Sequence, residues 1–271
     1  MRFSILSLSI LVIAFGNVIA EHPSAKIRSS ARQIDFASLP AAKEPASNAV
    51  RLAQGLPLKK PRIRRNQHGT PVDSAHRAKR STPVPGQQTC KVLVKTADKT
   101  LGYLSSTFNE HGLFHPDPTE KDPLVIAYGY EIGNFLTYQM RSTNGPAAYP
   151  HVGVAIGLVA NSTDIGTGNS NFGYLAGTQT STGAFSPAIE GDNSLSAATG
   201  IPLKYESGFW LYDQATRGFS IQWINSSRAP IKTYLIYLED LNGIGMTGDP
   251  NAVRSAFGSA YPDVTLTCVP V

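Results

Sequence analysis

Residues that could act as a nucleophile or bind a metal ion occur in this chain, but their surroundings favour structural roles. Ser194 lies in the segment EGDNSLS, which lacks the G-x-S-x-G turn that exposes a nucleophilic serine between a strand and a helix. His111 and His115 stand four residues apart, a spacing that on a helix would place both imidazoles on one face. Gly112 and Pro116 favour a loop there instead. The sequence therefore predicts a turn around Ser194, no catalytic residue, no metal site and no cofactor.

Acidic residues could supply the two carboxylates of a glycoside hydrolase. The separation of the two carboxyl groups decides that mechanism, and the sequence does not determine it. Acids at strand ends are also common on any acidic domain, so hydrolysis is kept as an alternative only. The candidate acids are Glu131, Glu206, Asp213, Glu239 and Asp240.

Aromatic residues crowd into two neighbouring strand patterns and suggest a different chemistry. Trp210 and Tyr212 share parity, so both point to one face of their strand, and Trp223 lies in the next strand pattern. On a solvent-facing surface such rings would stack on the apolar face of a sugar. On the core side they would be packing residues, which is the interpretation we favour. The candidate ligand-stacking residues are therefore Trp210, Tyr212 and Trp223.

The first 20 residues have the pattern of a secretory signal peptide. Arg2 precedes a mostly apolar run at residues 3–15, and the small residues Val18 and Ala20 fit a signal-peptidase site. The apolar run is too short for a membrane span, and no comparable run follows it. We therefore expect a secreted, extracellular protein without a membrane span.

Residues 21–80 differ in composition from the rest of the chain. They contain no Tyr, Trp or Cys, and Phe36 is their only Phe, so little apolar surface is available for a core. This leader carries 13 basic and 4 acidic residues, whereas residues 81–271 carry 10 basic and 15 acidic residues. We expect a disordered basic propeptide and an acidic domain. Such a domain is not expected to bind nucleic acid, because phosphate contacts depend on Lys and Arg.

A dibasic motif ends the leader. Arg77, Lys79 and Arg80 form the pattern R-x-K-R, which resembles the site cleaved by subtilisin-like processing proteases of the secretory pathway. No helix or strand pattern covers the motif, so a protease could reach it. We expect cleavage after Arg80. The alternative for KKPRIRR at residues 59–65, a nuclear-import signal or nucleic-acid patch, does not suit a secreted chain.

The cysteines predict how the remaining part is closed. Residues 81–88 are interpreted as a linker, and residues 89–271 as one domain that is long enough for a substantial core. Cys90 and Cys268 lie in strand-like runs near the two ends of that domain. In an oxidising compartment they should form a disulfide. The bond would place the first and last strands side by side or face to face.

Strand patterns fill the domain. Asn242-Gly243 is the dipeptide that most readily forms a type I′ hairpin turn. One helix is predicted, with Asp249 as its N-cap, Pro250 in its first turn and Gly258 at its end. The predicted class is all-β: a jelly-roll-like β-sandwich with one short helix, with closure of the sheet on itself as the alternative. The predicted strands occupy residues 122–131, 134–141, 151–160, 172–179, 208–214, 218–225, 231–240 and 244–248.

Two N-glycosylation sequons lie in polar segments between predicted strands. They begin at Asn161 and Asn225. We expect both segments to face solvent, where glycans would be tolerated.

Three segments carry a resemblance to other proteins. SAATGIPLKYESGFWLYDQATRGFSIQWIN, MTGDPNAVRSAFG and DVTLTCVPV are similar to segments of uncharacterised small secreted proteins of filamentous fungi, basidiomycetes especially. The resemblance extends over most of residues 89–271. It implies a secreted β-rich protein, and it supplies no functional residues. A leader removed at a dibasic site is also similar to those of fungal secreted proteins, including effectors.

These observations together favour a binding role outside the cell. We expect a non-enzymatic protein, released from a proprotein by a processing protease, that acts as an effector or surface-associated factor. Its partner would be an extracellular protein or a glycan. The alternatives are a lectin-like glycan-binding β-sandwich, a polysaccharide hydrolase, and a protease inhibitor that inserts residues 81–88 or a hairpin tip into a cleft.

Overall fold

The computed structural model describes residues 23–42, 88–119, 121–131, 134–158, 160 and 162–271. Within these ranges the fold is all-β and sandwich-like, as predicted, with antiparallel strands and a few short helices. No helix among them is long and apolar enough to cross a membrane. The signal peptide at residues 1–20 lies outside the described residues.

The described elements are numbered in chain order. The strands are β1 (Gln88–Lys95), β2 (Thr100–Leu104), β3 (Pro116–Asp117), β4 (Val125–Glu131), β5 (Asn134–Ser142), β6 (His151–Ile156), β7 (Phe172–Thr178), β8 (Lys204–Glu206), β9 (Trp210–Asp213), β10 (Gly218–Ile224), β11 (Pro230–Lys232), β12 (Tyr234–Leu238), β13 (Gly243–Thr247) and β14 (Thr265–Pro270). The helices are α1 (Pro23–Ser30), α2 (Ser194–Thr199) and α3 (Pro250–Phe257), and a 3-10 helix spans Glu239–Leu241.

Strand pairing closes part of the sheet into a ring. β1 pairs with β14 and β4, β14 with β10, β10 with β9, β9 with β5, and β5 with β4, all antiparallel. From β5 the sheet continues through β6, β7, β13 and β12. The predicted sandwich and its alternative, a sheet closed on itself, are therefore both represented in one fold.

The disulfide predicted from the two cysteines is present. Cys90 and Cys268 are bonded across the β1–β14 pair, with their Cα atoms 5.5 Å apart. Both cysteines are buried in the core inside the ring. The first and last strands of the domain lie side by side, as the sequence predicted.

The hairpins agree with the sequence, except for one turn. β4 and β5 pair as far as Glu131 and Asn134, and β9 and β10 pair as far as Asp213 and Gly218. β12 and β13 also form a hairpin, but the predicted type I′ turn at Asn242-Gly243 is wrong. The 3-10 helix occupies this connection instead, Asn242 ends it with φ 44°, and Gly243 already pairs in β13.

The helices outnumber the one that was predicted. α3 has the expected ends: the Asp249 side chain accepts hydrogen bonds from two N–H groups of the first turn, and Gly258 ends the helix with φ 66°. α2 replaces the turn predicted around Ser194, because the Asn193 side chain caps it by accepting from the Ser196 N–H at 2.8 Å. α1 lies in the leader, so the expected disorder of residues 21–80 does not hold for residues 23–42.

Two hydrophobic cores lie on opposite faces of β6, β7, β12 and β13. Leu175 of β7 belongs to the first core, inside the ring, whereas its neighbours Tyr174 and Ala176 belong to the second. All seven residues of β7 are buried, as in a strand covered on both faces. The second core also holds Ile27 of α1, Leu195 of α2 and Val253 of α3. The leader helix therefore helps to cover the outer face of the sheet.

Candidate functional site: the leader groove and the adjoining cleft

The leader segment at residues 23–42 is docked on the domain through one buried aliphatic side chain. Ile27, the one large apolar residue of α1, is 0% exposed and belongs to the second core. Complete burial of such a side chain contributes about 1.5 to 3 kcal/mol. A helix of eight residues is too short to be stable alone in water, so this packing stabilises it.

Basic residues on each side of Ile27 anchor the helix to backbone carbonyls of the domain. The Lys26 Nζ donates to the Leu158 carbonyl at 2.6 Å. The Arg28 guanidinium donates to the Asp240 carbonyl from the other side. Hydrogen bonds from charged donors are stronger than those between neutral groups. The helix is therefore oriented by two cations that flank its apolar anchor.

The rest of the segment continues along the domain. The Arg32 N–H donates to the Ala198 carbonyl of α2 at 2.6 Å, and the Ala42 N–H donates to the Ala147 carbonyl at 2.9 Å. Between these bonds the Phe36 ring meets the rings of Phe108 and Tyr149 edge-on, with centroids 5.0 and 6.1 Å apart. Edge-to-face pairs of this kind add about 0.5 to 1.5 kcal/mol each beyond the area they bury.

The surface beneath this segment is called the leader groove from here on. It consists of the contacted residues Phe108, Ala147, Tyr149, Leu158, Ala198, Gly200 and Asp240. At Gly200 the backbone and the Arg32 guanidinium are so close that a Cβ would overlap the guanidinium. Burial, together with the charge of Arg28, lowers the pKa of His111 beside the groove, whereas Glu110 and Asp240 raise it.

An open cleft of about 410 Å³ adjoins the leader groove beside α2. Tyr149 and Gly200 belong to both surfaces. The exposed carboxylates of Glu190 and Asp192 line the cleft, with Lys204 4.0 Å from Glu190. Burial and the charge of Asp192 raise the pKa of the Tyr149 phenol. The cleft has an acidic balance, which suits the Arg32 guanidinium at its rim.

The structure places the candidate ligand-stacking residues in the core. Trp210 and Trp223 are 0% exposed, and their indole N–H groups donate to the carbonyls of Val152 at 2.9 Å and Thr163 at 3.0 Å. Tyr212 is half-buried, with its ring 4.9 Å from that of Tyr128. The packing interpretation favoured from the sequence describes the two indoles, whereas the Tyr212 ring packs against the core and stays partly exposed.

Ser194 has a structural role at the start of α2. Its Oγ donates to the Gly112 carbonyl at 2.5 Å and accepts from the Gly177 N–H at 2.8 Å. The side chain is 0% exposed. Ser194 therefore joins α2 to β7 and to the loop at residue 112.

Replacing Ser194 by Ala is expected to lower the free energy of unfolding by about 2 kcal/mol, because two buried backbone groups lose their partner. Urea unfolding followed by tryptophan fluorescence measures this change. The control is Ser220→Ala in β10, whose side chain is exposed. Equal stabilities for the two variants would contradict the assigned role.

The four candidate carboxylates whose side chains are described lie in different parts of the fold. Glu206 is buried, Asp213 lies at the β9–β10 turn, and Glu239 and Asp240 begin the 3-10 helix. Hydrogen bonds from Thr216 and the Ala215 N–H lower the pKa of Asp213, which identifies it as a turn-capping residue. Burial raises the pKa of Glu206 to about 9. The side chain of Glu131 lies outside the described residues.

The histidines lie in separate surroundings. His111 contacts Glu110, with His111 Nε2 3.3 Å from the carboxylate, whereas burial lowers the pKa of His115. Burial and the charge of Arg141 lower the pKa of His151 to about 4. Across the described part of the chain, no group of three or more His, Cys, Asp or Glu residues is placed to hold a metal ion.

The modification sites predicted from the sequence are described only in part. Arg77, Lys79, Arg80 and Asn161 lie outside the described residues. Asn225 is half-buried, and its side-chain amide exchanges hydrogen bonds with the backbone of Ile165 at 2.9 and 3.1 Å. Glycosylation at either sequon stays a prediction.

Sequence reasoning missed the leader groove and the cleft. The groove is formed by residues far apart along the chain, from Phe108 to Asp240, so no local motif marks it. One signal for its occupant was present: Ile27 between Lys26 and Arg28, followed by the single leader phenylalanine, Phe36. No protein-family model, curated protein or solved structure matches this chain.

Proposed function

We propose that this chain is a secreted proprotein, and that cleavage after Arg80 releases residues 81–271 as an extracellular binding protein of the effector or surface-associated kind. The observation that carries the proposal is the docked leader. A segment of residues 21–80 occupies a groove of the domain, and the dibasic motif lies in the chain between that segment and β1. Cleavage there would produce two chains: the leader, which contains the docked segment, and the domain, whose groove that segment covers.

Charge supports the same division. The leader carries 13 basic and 4 acidic residues, and residues 81–271 carry 10 basic and 15 acidic residues. The opposite charges favour association of the leader with the domain. Salt screens this attraction, so the association should be weaker at high salt. The buried disulfide between Cys90 and Cys268 suits an oxidising extracellular environment.

The placement of the candidate catalytic groups favours binding over catalysis. Ser194 is engaged by two backbone groups, and Glu206 is enclosed in the core. The leader groove and its adjoining cleft are instead built from backbone carbonyls, aromatic rings and exposed charges. Surfaces of this kind bind peptides and polar ligands.

Changing Lys79 and Arg80 to Ala together is expected to yield a secreted product that keeps the 60 residues of the leader. The physical reason is that the acidic subsites of the processing protease lose both of the basic side chains nearest the scissile bond. Intact-mass spectrometry of the secreted protein measures the outcome. The matched control is Lys59→Ala with Lys60→Ala, another adjacent basic pair of the leader, which should leave the mature mass unchanged. Identical masses for wild type and the Lys79/Arg80 variant would reject the site.

Glycan binding is the second candidate, and the adjoining cleft favours it. The cleft combines the Tyr149 ring with the carboxylates of Glu190 and Asp192. An aromatic ring can stack on the apolar face of a sugar, and carboxylates accept hydrogen bonds from sugar hydroxyls. Saturable binding of soluble cell-wall oligosaccharides by the processed protein would support this candidate. Binding of proteins alone would support the first.

A further inference from the structure

We infer that the leader groove is a peptide-binding site of the domain, that residues 23–42 are its built-in ligand, and that they stay bound after cleavage and mask the site. The ligand that replaces them is a basic protein segment with one buried aliphatic residue between two cations. This inference rests on the proposed function for the natural cleavage step only. The contacts of residues 23–42 carry the rest.

Residues 23–42 are held in place by their own non-covalent contacts with the domain. Its contacts are those of a ligand: an aliphatic anchor at Ile27, two cation-to-carbonyl bonds from Lys26 and Arg28, and an aromatic contact at Phe36. None of these contacts depends on the covalent bond after Arg80. Cutting the chain there leaves every one of them intact.

The domain contributes backbone carbonyl groups and an apolar position to the leader groove. The Leu158, Asp240, Ala198 and Ala147 carbonyls point at the segment and accept its donors. Departure of the segment would leave these acceptors to water and would open the Ile27 position in the second core. Exposed apolar surface beside backbone carbonyl groups favours the binding of another segment of the same kind.

The charges at the leader groove and the adjoining cleft restrict which segment can replace residues 23–42. Two cations flank the aliphatic residue, and Arg32 reaches the rim of the acidic cleft at Gly200. A replacing ligand must therefore be basic, because an acidic segment would meet Glu190 and Asp192. In residues 23–30 a helix presents Ile27 inward with a cation on each side, so the ligand we infer is a basic helical segment with one apolar residue facing the domain.

The test uses the full secreted chain with residues 77–80 replaced by the cleavage sequence of a site-specific protease. After complete cleavage, native mass spectrometry and size-exclusion chromatography report whether the leader fragment stays with the domain. We expect it to stay in the wild-type background and in Gln33→Asp, a control at an exposed leader position. We expect at least tenfold weaker retention in Ile27→Asp, which places the same charge in the core.

A second measurement keeps the domain unchanged. A labelled synthetic peptide of residues 23–42, added to the cleaved wild-type protein, should exchange with the leader in a saturable way. The same peptide with Ile27→Asp should compete at least tenfold less well. A leader that separates at once, with no peptide binding at micromolar concentration, would overturn the inference, and so would equal competition by the two peptides.

The two proposals fail in different ways. If the natural dibasic motif is not cut in secreting cells, the proposed release is wrong, yet the engineered cut still tests the groove. If the natural motif is cut but the leader does not stay bound, the release stands and the built-in ligand is rejected.

Discussion

Replacing Cys90 and Cys268 by Ala together is expected to lower the free energy of unfolding by about 5 kcal/mol. The bond joins residues 178 positions apart, and closing a loop of that length restricts the unfolded chain by about this amount in the entropy model. For a domain of this size the change corresponds to a fall in the thermal midpoint of roughly 10 to 20 °C. Calorimetry of the purified protein measures it.

The control for this prediction separates the cross-link from the packing of the sulfur atoms. Wild-type protein treated with a reducing agent loses the bond but keeps both sulfurs in the core, where Cys90 and Cys268 are 0% and 3% exposed. We expect reduced wild type to lose most of the 5 kcal/mol, and the Ala variant to be unaffected by the reducing agent. A loss below about 1 kcal/mol on reduction would contradict the role assigned to the bond.

Much of the fold could be predicted because its signals are local. Strand Gly218–Ile224 alternates in burial over most of its length, and that alternation is visible in the sequence. The helix from Pro250 to Phe257 is marked in the sequence by its N-cap, Asp249, and its C-cap, Gly258. The disulfide was predicted because the domain has two cysteines, both in strand-like runs, and the signal-peptide pattern led us to expect an oxidising compartment.

The elements that were missed depend on contacts between distant residues. α2 is only six residues long, so no apolar periodicity marks it in the sequence. Its N-cap, Asn193, also donates from its side chain to the distant Leu203 carbonyl. The Asn242-Gly243 turn was predicted from a dipeptide preference, but the chain packs Leu241 into the second core and forms a 3-10 helix there. Tertiary packing outweighed local propensity in both places.

The leader illustrates the same limit at the candidate site. Its composition predicts disorder, because the few large apolar residues of positions 23–42, among them Ile27 and Phe36, cannot form a core by themselves. Both residues instead complete surfaces that the domain supplies: Ile27 enters the second core and Phe36 meets Phe108. A docked segment of this kind can be recognised only when the surface that receives it is known.

The buried Glu206 carboxyl is expected to lower the free energy of unfolding as the pH rises above 7. Burial raises the pKa of its carboxyl from 4.5 to about 9, so the folded protein keeps it protonated while the unfolded chain ionises it. This contribution to stability is complete below the unfolded pKa and is lost as the pH rises toward the folded pKa, by about 1.4 kcal/mol per pH unit. Between pH 7 and 9 the free energy of unfolding should therefore fall by about 2 kcal/mol, because the slope decreases as the pH reaches the folded pKa.

Glu206→Gln should remove this dependence. The amide keeps the shape of the side chain and an oxygen that can accept from the Ile224 N–H, which lies 3.3 Å from Glu206 Oε2. Its NH₂ takes the place of Oε1, which has no hydrogen-bond partner among the described residues. At pH 9 we expect the variant to be more stable than wild type by on the order of 5 kcal/mol.

The window from pH 7 to 9 isolates Glu206 from the histidines of the domain. Burial lowers the pKa of His111, His115 and His151 in the folded protein. Unfolded histidines titrate near pH 6.5, so the small charge they keep at pH 7 changes stability in the direction opposite to Glu206 as the pH rises. Urea titrations at several pH values, read by the buried tryptophans, supply the slope. Glu190→Gln is the matched control, because its side chain is 88% exposed and should leave the slope unchanged. Parallel slopes for wild type and Glu206→Gln would mean that the Glu206 carboxyl ionises within the folded protein, and that water reaches this part of the core.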